Sequence, residues 1–324
     1  MLLKMFAILL AAFLATSPNA QSNGDGPRLE FAEVGTVRMP YLDWGGSGEP
    51  LVLVPARCET PYVFGDLAPL LVHRFRVFGV WARGCAASGP ASDGYDLDRQ
   101  IQDLVAFLDR LKIKSAIFAG HSASGGKVVR LARLFPMRVA RIVTFDIIYT
   151  NVPDRYVAEF QAAVAPNPSA AAPQSLESHR RDFEVWELGA WSSALERDFS
   201  ERTERLPDGT TKFRPQAPGW QSAFIADIKA GRYHETTVGV PALFLVAQDL
   251  DIERVKRLPE RPQRELLPMA ESISRARSDQ LASYQSNGSH VRVVPLAGAS
   301  HYLFVDRARE VAKRMLAFLE ETRR

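Results

Sequence analysis

Short apolar runs alternate with amphipathic stretches along most of the chain, and this alternation limits the folds that the chain can adopt. Residues 51–54 and 139–145 are predominantly apolar runs, whereas residues 97–111 place their apolar side chains at helical spacing on one face. A short apolar run suits a parallel strand that is covered on both faces. Strands that alternate with helices build a parallel sheet with right-handed crossovers, so the sequence predicts an α/β fold.

The same patterns predict the remaining elements and the domain organisation. Strands are predicted at residues 37–44, 76–81, 115–119, 241–247 and 291–295, and helices at residues 64–71, 127–135 and 305–320. The alternation breaks over residues 150–238, which are rich in Pro, Ala and Trp. The sequence therefore predicts a doubly wound, mostly parallel sheet formed by residues 23–149 and 239–324, with residues 150–238 inserted as a helical lid.

Residues 1–22 have the pattern of a secretory signal peptide. Lys4 supplies a positive charge, and residues 5–15 form an apolar segment that is too short to span a bilayer. Small residues follow, and cleavage is expected near Ala20 or Ser22, with a retained N-terminal anchor as the alternative. Cleavage predicts a periplasmic or secreted protein that has no stable association with the membrane.

Charge and composition narrow the range of partners. The 324 residues carry a net charge of +3, and their basic and acidic side chains are interspersed. Nucleic acid is not an expected partner, because no basic block with interleaved aromatic residues occurs. No cluster with metal-ligand spacing appears in the sequence, so neither a metal nor a cofactor is predicted, and the expected partner is a small-molecule substrate.

A strand that runs into a tight turn and then into a helix is centred on Ser122. Gly120 and Ser124 flank it two residues away on either side, and both are small. Small flanks are needed because such a turn is sharp and the backbone of its nucleophile is strained. The N-terminus of the helix directs free N–H groups at an oxyanion formed beside Ser122. Ser124, between Ser122 and Gly126, is the alternative nucleophile.

The stretch Gly120-His121-Ser122-Ala123-Ser124 resembles the Gly-x-Ser-x-Gly elbow of the α/β-hydrolase family, with Ser124 in place of the second Gly. The resemblance covers most of the chain after the signal segment and implies the order Ser, acid, His. His301 matches the general base, because it lies in the loop between the last predicted strand and the last predicted helix. His290 precedes that strand and is expected at the opposite edge of the sheet.

Two places can supply the acid that orients His301. The commoner location in the family follows the strand predicted at 241–247, where Asp249 and Asp251 stand without the Gly that usually forms the turn. The other is the end of the preceding core strand, which Asp146 occupies and where haloalkane dehalogenases hold their acid. The sequence leaves Asp146 and the later pair open, and within that pair it favours Asp251.

The resemblance assigns the oxyanion hole to two backbone N–H groups. Ala123, directly after the nucleophile, supplies the first. The second belongs to the loop after the strand predicted at 51–54, where relatives have His-Gly and this chain has Pro55-Ala56-Arg57-Cys58. Arg57 is the favoured donor and Cys58 the alternative. The Arg57 side chain either meets an acidic group of the substrate or remains a surface cation.

Cys58 and Cys85 are the two cysteines of the chain. In the fold that the resemblance implies, they lie on loops at the ends of neighbouring strands. A disulfide that braces the site is therefore one expectation, and two buried free thiols are the other.

The activity that the resemblance implies is that of an esterase-like serine hydrolase, which cleaves an ester or similar acyl bond through an acyl-enzyme. The insertion contributes aromatic residues that suggest an apolar substrate pocket, namely Phe183, Trp186, Trp191 and Trp220. Hydrolysis of an amide, lactone, thioester or carbon–carbon bond is the second expectation. A non-catalytic binding protein is the third, because the His-Gly motif is absent.

Overall fold

The computed structural model describes residues 26–89, 91, 93–147, 173–187, 189–233, 235, 237–248, 250–256, 260–286, 288 and 290–323. The predicted signal peptide and most of the first part of the predicted lid lie outside these residues. The described part contains an eight-stranded sheet, helices that flank it and most of residues 173–238 of the predicted lid.

An eight-stranded sheet runs through the protein, and a separate two-stranded sheet lies within residues 203–213. The strands are β1 (Arg28–Val34), β2 (Val37–Gly45), β3 (Glu49–Val54), β4 (Phe75–Val80), β5 (Ala116–His121), β6 (Val139–Phe145), β7 (Thr203–Arg205), β8 (Thr211–Phe213), β9 (Ala242–Gln248) and β10 (Val291–Ala297). The order in the main sheet is β1-β2-β4-β3-β5-β6-β9-β10. In this sheet β2 pairs antiparallel with both of its neighbours, β1 and β4, and the remaining neighbours in the order, from β4 through β3 to β10, pair in parallel. The predicted mostly parallel sheet is confirmed.

Helices follow the strands in the predicted alternation. Their bounds are α1 (Leu97–Arg110), α2 (Ala123–Leu134), α3 (Leu176–Glu187), α4 (Ser193–Arg202), α5 (Trp220–Lys229), α6 (Leu250–Lys256), α7 (Glu260–Ser286), α8 (Leu303–Asp306) and α9 (Ala308–Glu321). No helix of the described residues is both long enough and apolar enough to cross a bilayer.

Alternate residues of the central strands face two separate hydrophobic cores. In β5, Ala116 and Phe118 belong to the core under α1 and α2, whereas Ile117 and Ala119 belong to the core that includes α9. All four side chains are fully buried. A strand that is covered on both faces is apolar at nearly every position, which is why the predominantly apolar runs of the sequence predicted these strands.

Some elements differ from their prediction. The helix predicted at 64–71 is not formed, and two short 3₁₀ turns, Pro61–Phe64 and Ala68–Leu70, stand in that region. Pro69 has no N–H, so a continuous α-helix here would lose a hydrogen bond. The apolar residues that predicted the helix are nevertheless buried. The last predicted helix is divided into α8 and α9 at Arg307.

The parallel strands place their carboxyl ends along one edge of the sheet. The segments that leave this edge include residues 55–60 after β3, Ser122 after β5, Asp146 after β6 and the loop with His301 after β10. Open α/β sheets bind their ligands at this edge. The candidate residues that the sequence pointed to on separate segments therefore share one edge.

Candidate active site

Ser122 occupies a strained turn between β5 and α2. Its φ of 54° and ψ of −122° are rare for a residue that has a side chain. Gly120 permits the turn, because a Cβ at that position would lie 2.2 Å from the backbone oxygen of Ser124. The backbone N–H of Ser122 donates to the carbonyl of Phe145 over 2.9 Å, which ties the turn to the end of β6. The predicted elbow geometry is present.

Ser122, His301 and Asp146 form a hydrogen-bonded chain at the carboxyl edge of the sheet. The Ser122 Oγ lies 3.0 Å from the His301 Nε2, and the His301 Nδ1 lies 2.6 Å from the Asp146 Oδ2. The other carboxylate oxygen of Asp146 accepts the backbone N–H of Ala247 over 2.9 Å. Asp146 is 1% exposed, so its carboxylate is held by these contacts rather than by solvent.

The structure brings one of the candidate acids to His301. Asp146 also has a positive φ, 46°, which is rare for a residue that has a side chain. Asp249 lies outside the described residues. Asp251 belongs to α6, and its side chain also lies outside the described part of the chain.

Ser124, the alternative nucleophile, forms a hydrogen bond with the loop after β3 instead of with His301. Its hydroxyl is buried in the first turn of α2 and donates to the carbonyl of Pro55 over 2.7 Å. This bond joins α2 to the loop after β3. Ser124 therefore connects the two segments that carry the predicted oxyanion donors, while Ser122 faces the imidazole.

The two predicted oxyanion donors stand at the start of α2 and in the loop after β3. Ala123 is the first residue of α2, where N–H groups have no partner within the helix. Arg57 has a φ of 35°, which is unusual for a residue other than glycine. Within the described residues, neither backbone N–H donates to an acceptor. Both groups are therefore available to a ligand.

Two further contacts hold the loop that contains Arg57. Cys58 forms a disulfide with Cys85, which lies after β4, so the disulfide of the first expectation is present. The backbone N–H of Thr60 donates to Asp198 of α4 over 2.6 Å, and Asp198 pairs with Arg202 over 2.6 Å. Burial raises the pKa of Asp198 to about 6, although Arg202 opposes this shift.

A buried polar network that the sequence did not indicate lies beside His301. The His121 Nδ1 is 3.1 Å from Glu59, and the His121 Nε2 is 3.2 Å from the backbone oxygen of His301. Tyr302 donates its hydroxyl to the other oxygen of Glu59. Burial would raise the pKa of Glu59, but the charge and hydrogen bond of His121, together with the charge of Arg202 and the hydrogen bond of Tyr302, lower the pKa to about 2.

Aromatic residues of the insertion pack toward this network. Phe183 lies 4.9 Å from Tyr302 and 5.4 Å from Trp191 between ring centroids, whereas Trp220 stacks on Phe224 at 5.6 Å. The side chain of Trp186 lies outside the described residues. The predicted aromatic residues thus form two separate groups, one beside Tyr302 and one on α5.

Comparison with known proteins agrees with this geometry. A sequence profile described as the alpha/beta hydrolase fold matches residues 49–249. The chain is 35% identical over 150 residues to the non-heme chloroperoxidase of Streptomyces lividans, covering 39% of this chain and 51% of that protein. It is 34% identical over 112 residues to the N-formylmaleamate deformylase of Pseudomonas putida, covering 34% and 41%. The alignments thus span about half or less of these relatives.

A solved structure extends the likeness of the fold to nearly the whole chain. The crystal structure of E-2-(acetamidomethylene)succinate hydrolase matches with a TM-score of 0.65, covering 91% of this chain and 99% of that one at 18% identity. The profile match spans more than half of the chain and includes the elbow, the candidate acid Asp146 and the loop after β3. The chain belongs to the α/β-hydrolase family.

Proposed function

We propose that the protein is a serine hydrolase that cleaves a carboxylic ester or a similar acyl bond of a small molecule. One observation carries the proposal, namely the chain of short contacts from the Ser122 Oγ through the imidazole of His301 to Asp146. Nucleophile, base and orienting acid in this order are the groups that acyl transfer requires. The elbow supports the same assignment, because its strain is of the kind stored at reacting groups.

The proposed reaction proceeds through an acyl-enzyme. The Ser122 Oγ attacks the carbonyl carbon of the substrate, and the His301 Nε2 takes the proton of the hydroxyl. Asp146 accepts the Nδ1–H of His301, which fixes the tautomer and stabilises the imidazolium. The backbone N–H groups of Ala123 and Arg57 stabilise the oxyanion. His301 then returns the proton to the leaving group, and water releases the acyl group by the same route. None of these steps requires a metal or a cofactor.

Covalent labelling tests this proposal directly. A fluorophosphonate probe is expected to label the mature protein, and mass spectrometry of the digested adduct is expected to place the probe on the peptide that contains Ser122. The matched control is Ser124→Ala, which should label like the wild type. Absence of labelling in folded protein, together with no turnover of esters, thioesters or amides, would favour a non-catalytic binding protein.

A second candidate function is hydrolysis of an amide or ester that carries a carboxylate. Burial lowers the pKa of the Arg57 guanidinium, although Glu59 opposes the shift. Among the described residues Arg57 forms no ion pair, and its guanidinium carbon lies 5.7 Å from the ring centroid of Trp220 and 5.4 Å from that of Phe224. A desolvated cation without a partner gains more from a bound anion than a solvated one does. The names of the deformylase and of the succinate hydrolase agree with such substrates.

The side chain of Arg57 provides the comparison that separates the two candidates. If the substrate carries a carboxylate, Arg57→Gln should lower kcat/KM for an anionic substrate about 10- to 100-fold more than for its neutral methyl ester. The substitution keeps the backbone N–H of residue 57. Equal losses for the anionic and the neutral substrate would exclude recognition of an anion by this side chain.

The proposal extends to the lid and to export. Residues 150–238 are proposed to cover the substrate, which is supported by the packing of Phe183 against Tyr302, next to the proposed base. Export through cleavage of residues 1–22 is supported by the Cys58–Cys85 disulfide, because such bonds persist in oxidising compartments.

A further inference from the structure

We propose that His121 is a positioning residue, held by Glu59 as a buried imidazolium, that fixes the backbone of His301 and sets the pH range over which His301 acts as a base. This inference rests on the proposed function. It concerns a histidine that takes no part in the steps described above.

The partners of His121 determine where its protons are. The backbone oxygen of His301 can only accept a hydrogen bond, so the His121 Nε2, 3.2 Å away, must carry a proton. The Nδ1 faces a carboxylate oxygen of Glu59 at 3.1 Å. One proton therefore lies between Nδ1 and Glu59, and it belongs either to the imidazole or to the carboxyl group.

The hydrogen bonds around Glu59 favour its ionised form, and the proton is therefore assigned to His121. The oxygen of Glu59 that faces His121 also accepts the backbone N–H of Ala56 over 3.1 Å, and the second oxygen accepts the hydroxyl of Tyr302. A carboxylate that accepts hydrogen bonds from several donors is stabilised in its charged form. With Glu59 ionised, both nitrogens of His121 are protonated, and the pair is an ion pair inside the protein, with His121 0% exposed.

Other charged groups face this pair from three directions. Arg202 and Asp198 approach Glu59 from α4 and pair with each other, and Arg57 lies on the same loop as Glu59. His301 and its partner Asp146 lie on the other side of His121. Among the described residues, His121 is the one cation that is hydrogen-bonded to Glu59.

This arrangement bears on His301 in two ways. The hydrogen bond from His121 anchors the backbone carbonyl of His301, which keeps the ring within reach of Ser122. The two imidazole rings also lie 4.6 Å apart between centroids. A positive charge at this distance opposes protonation of His301 before the reaction, so His301 remains an unprotonated base at lower pH than it otherwise would.

The test compares Glu59→Gln with Tyr302→Phe in the full mature chain, with ¹⁵N NMR of the histidine side chains and pH profiles of kcat/KM as readouts. Gln keeps the size of Glu59 but removes its charge, so His121 should lose one proton. Without that charge beside it His301 holds its proton more strongly, and the acidic limb of the profile should move up by about one pH unit. We expect kcat to fall about tenfold while KM changes less than about twofold.

Tyr302→Phe is the matched control, because it removes one hydrogen bond from Glu59 and leaves both charges in place. The doubly protonated signature of His121 and the position of the acidic limb should remain as in the wild type. If Glu59 served packing alone, Glu59→Gln would change neither the protonation of His121 nor the position of the acidic limb relative to Tyr302→Phe.

The wild-type spectrum is decisive even if a variant fails to fold. Two N–H signals on His121 are expected from its two contacts, and a single N–H at pH 7 would overturn the inference. An acidic limb that does not move in folded Glu59→Gln would also overturn it. The NMR readout requires no turnover, so a failure of the proposed hydrolase activity remains distinguishable from a failure of this inference.

Discussion

Ser122→Ala is expected to lower kcat for an acyl substrate by at least about 10⁴-fold. The substitution removes the oxygen that lies 3.0 Å from the His301 Nε2 and leaves no other hydroxyl in that place, because Ser124 is bonded to Pro55. Turnover of p-nitrophenyl acetate and p-nitrophenyl butyrate by the mature protein measures the effect. The fold should be preserved, since alanine fits wherever serine does.

Ser124→Ala provides the control for this result. It removes a hydroxyl from the same turn of α2 and one buried hydrogen bond, which costs about 1 kcal/mol of stability. Turnover should stay within about threefold of the wild type. If Ser124→Ala abolished turnover and Ser122→Ala did not, the nucleophile would be Ser124, with Ser122 and Gly126 as its small flanking residues.

Asp146→Asn is expected to lower kcat about 10³- to 10⁴-fold. Asparagine can still accept the N–H of Ala247, but it no longer offers a charged partner to the His301 Nδ1. The imidazolium that forms during the reaction then loses its stabilisation, and the tautomer of His301 is no longer fixed. Steady-state kinetics with the same esters measure the loss, and circular dichroism checks the fold.

Asp251→Asn is the matched comparison at the other location considered for the acid. The same change of charge there should leave kcat within about threefold of the wild type, because the acid proposed here is Asp146. Activity that survives Asp146→Asn and disappears in Asp251→Asn would move the acid to the segment after β9. Loss in both variants would indicate that the two carboxylates act together.

The fold was predictable from the sequence where burial of an element requires a recognisable pattern of apolar residues. Strands with both faces covered are predominantly apolar runs, and β5 and β6 were predicted to within two residues at each end for that reason. The first strand, Arg28–Val34, was not predicted, because it lies at the edge of the sheet and most of its side chains are exposed. A largely exposed edge strand has few apolar residues, so its sequence lacks the apolar run from which the other strands were predicted.

Candidate site residues were predictable only where a residue of the required chemical type follows a predicted strand at the expected place in the chain. Ser122 and His301 stand at positions that the order of elements specifies. Chain order alone did not choose among the candidate acids, because the ends of β6 and β9 meet the same edge of the sheet and both can reach one histidine. The contact between Glu59 and His121 joins residues 62 positions apart, and no spacing rule connects them. The pairing of Cys58 with Cys85 likewise required a measured separation, 5.1 Å between Cα atoms.

With Asp146 as the proposed acid, the groups of the proposed mechanism lie outside the proposed lid, residues 150–238. Ser122, Asp146 and His301 all follow core strands, and the described residues between Gln174 and Val240 contribute none of the atoms of the proposed mechanism. We therefore expect that the proposed lid can be exchanged between homologues to change substrate specificity. A graft must keep Asp198, however, because its carboxylate holds the N–H of Thr60 and thereby the loop that carries Arg57.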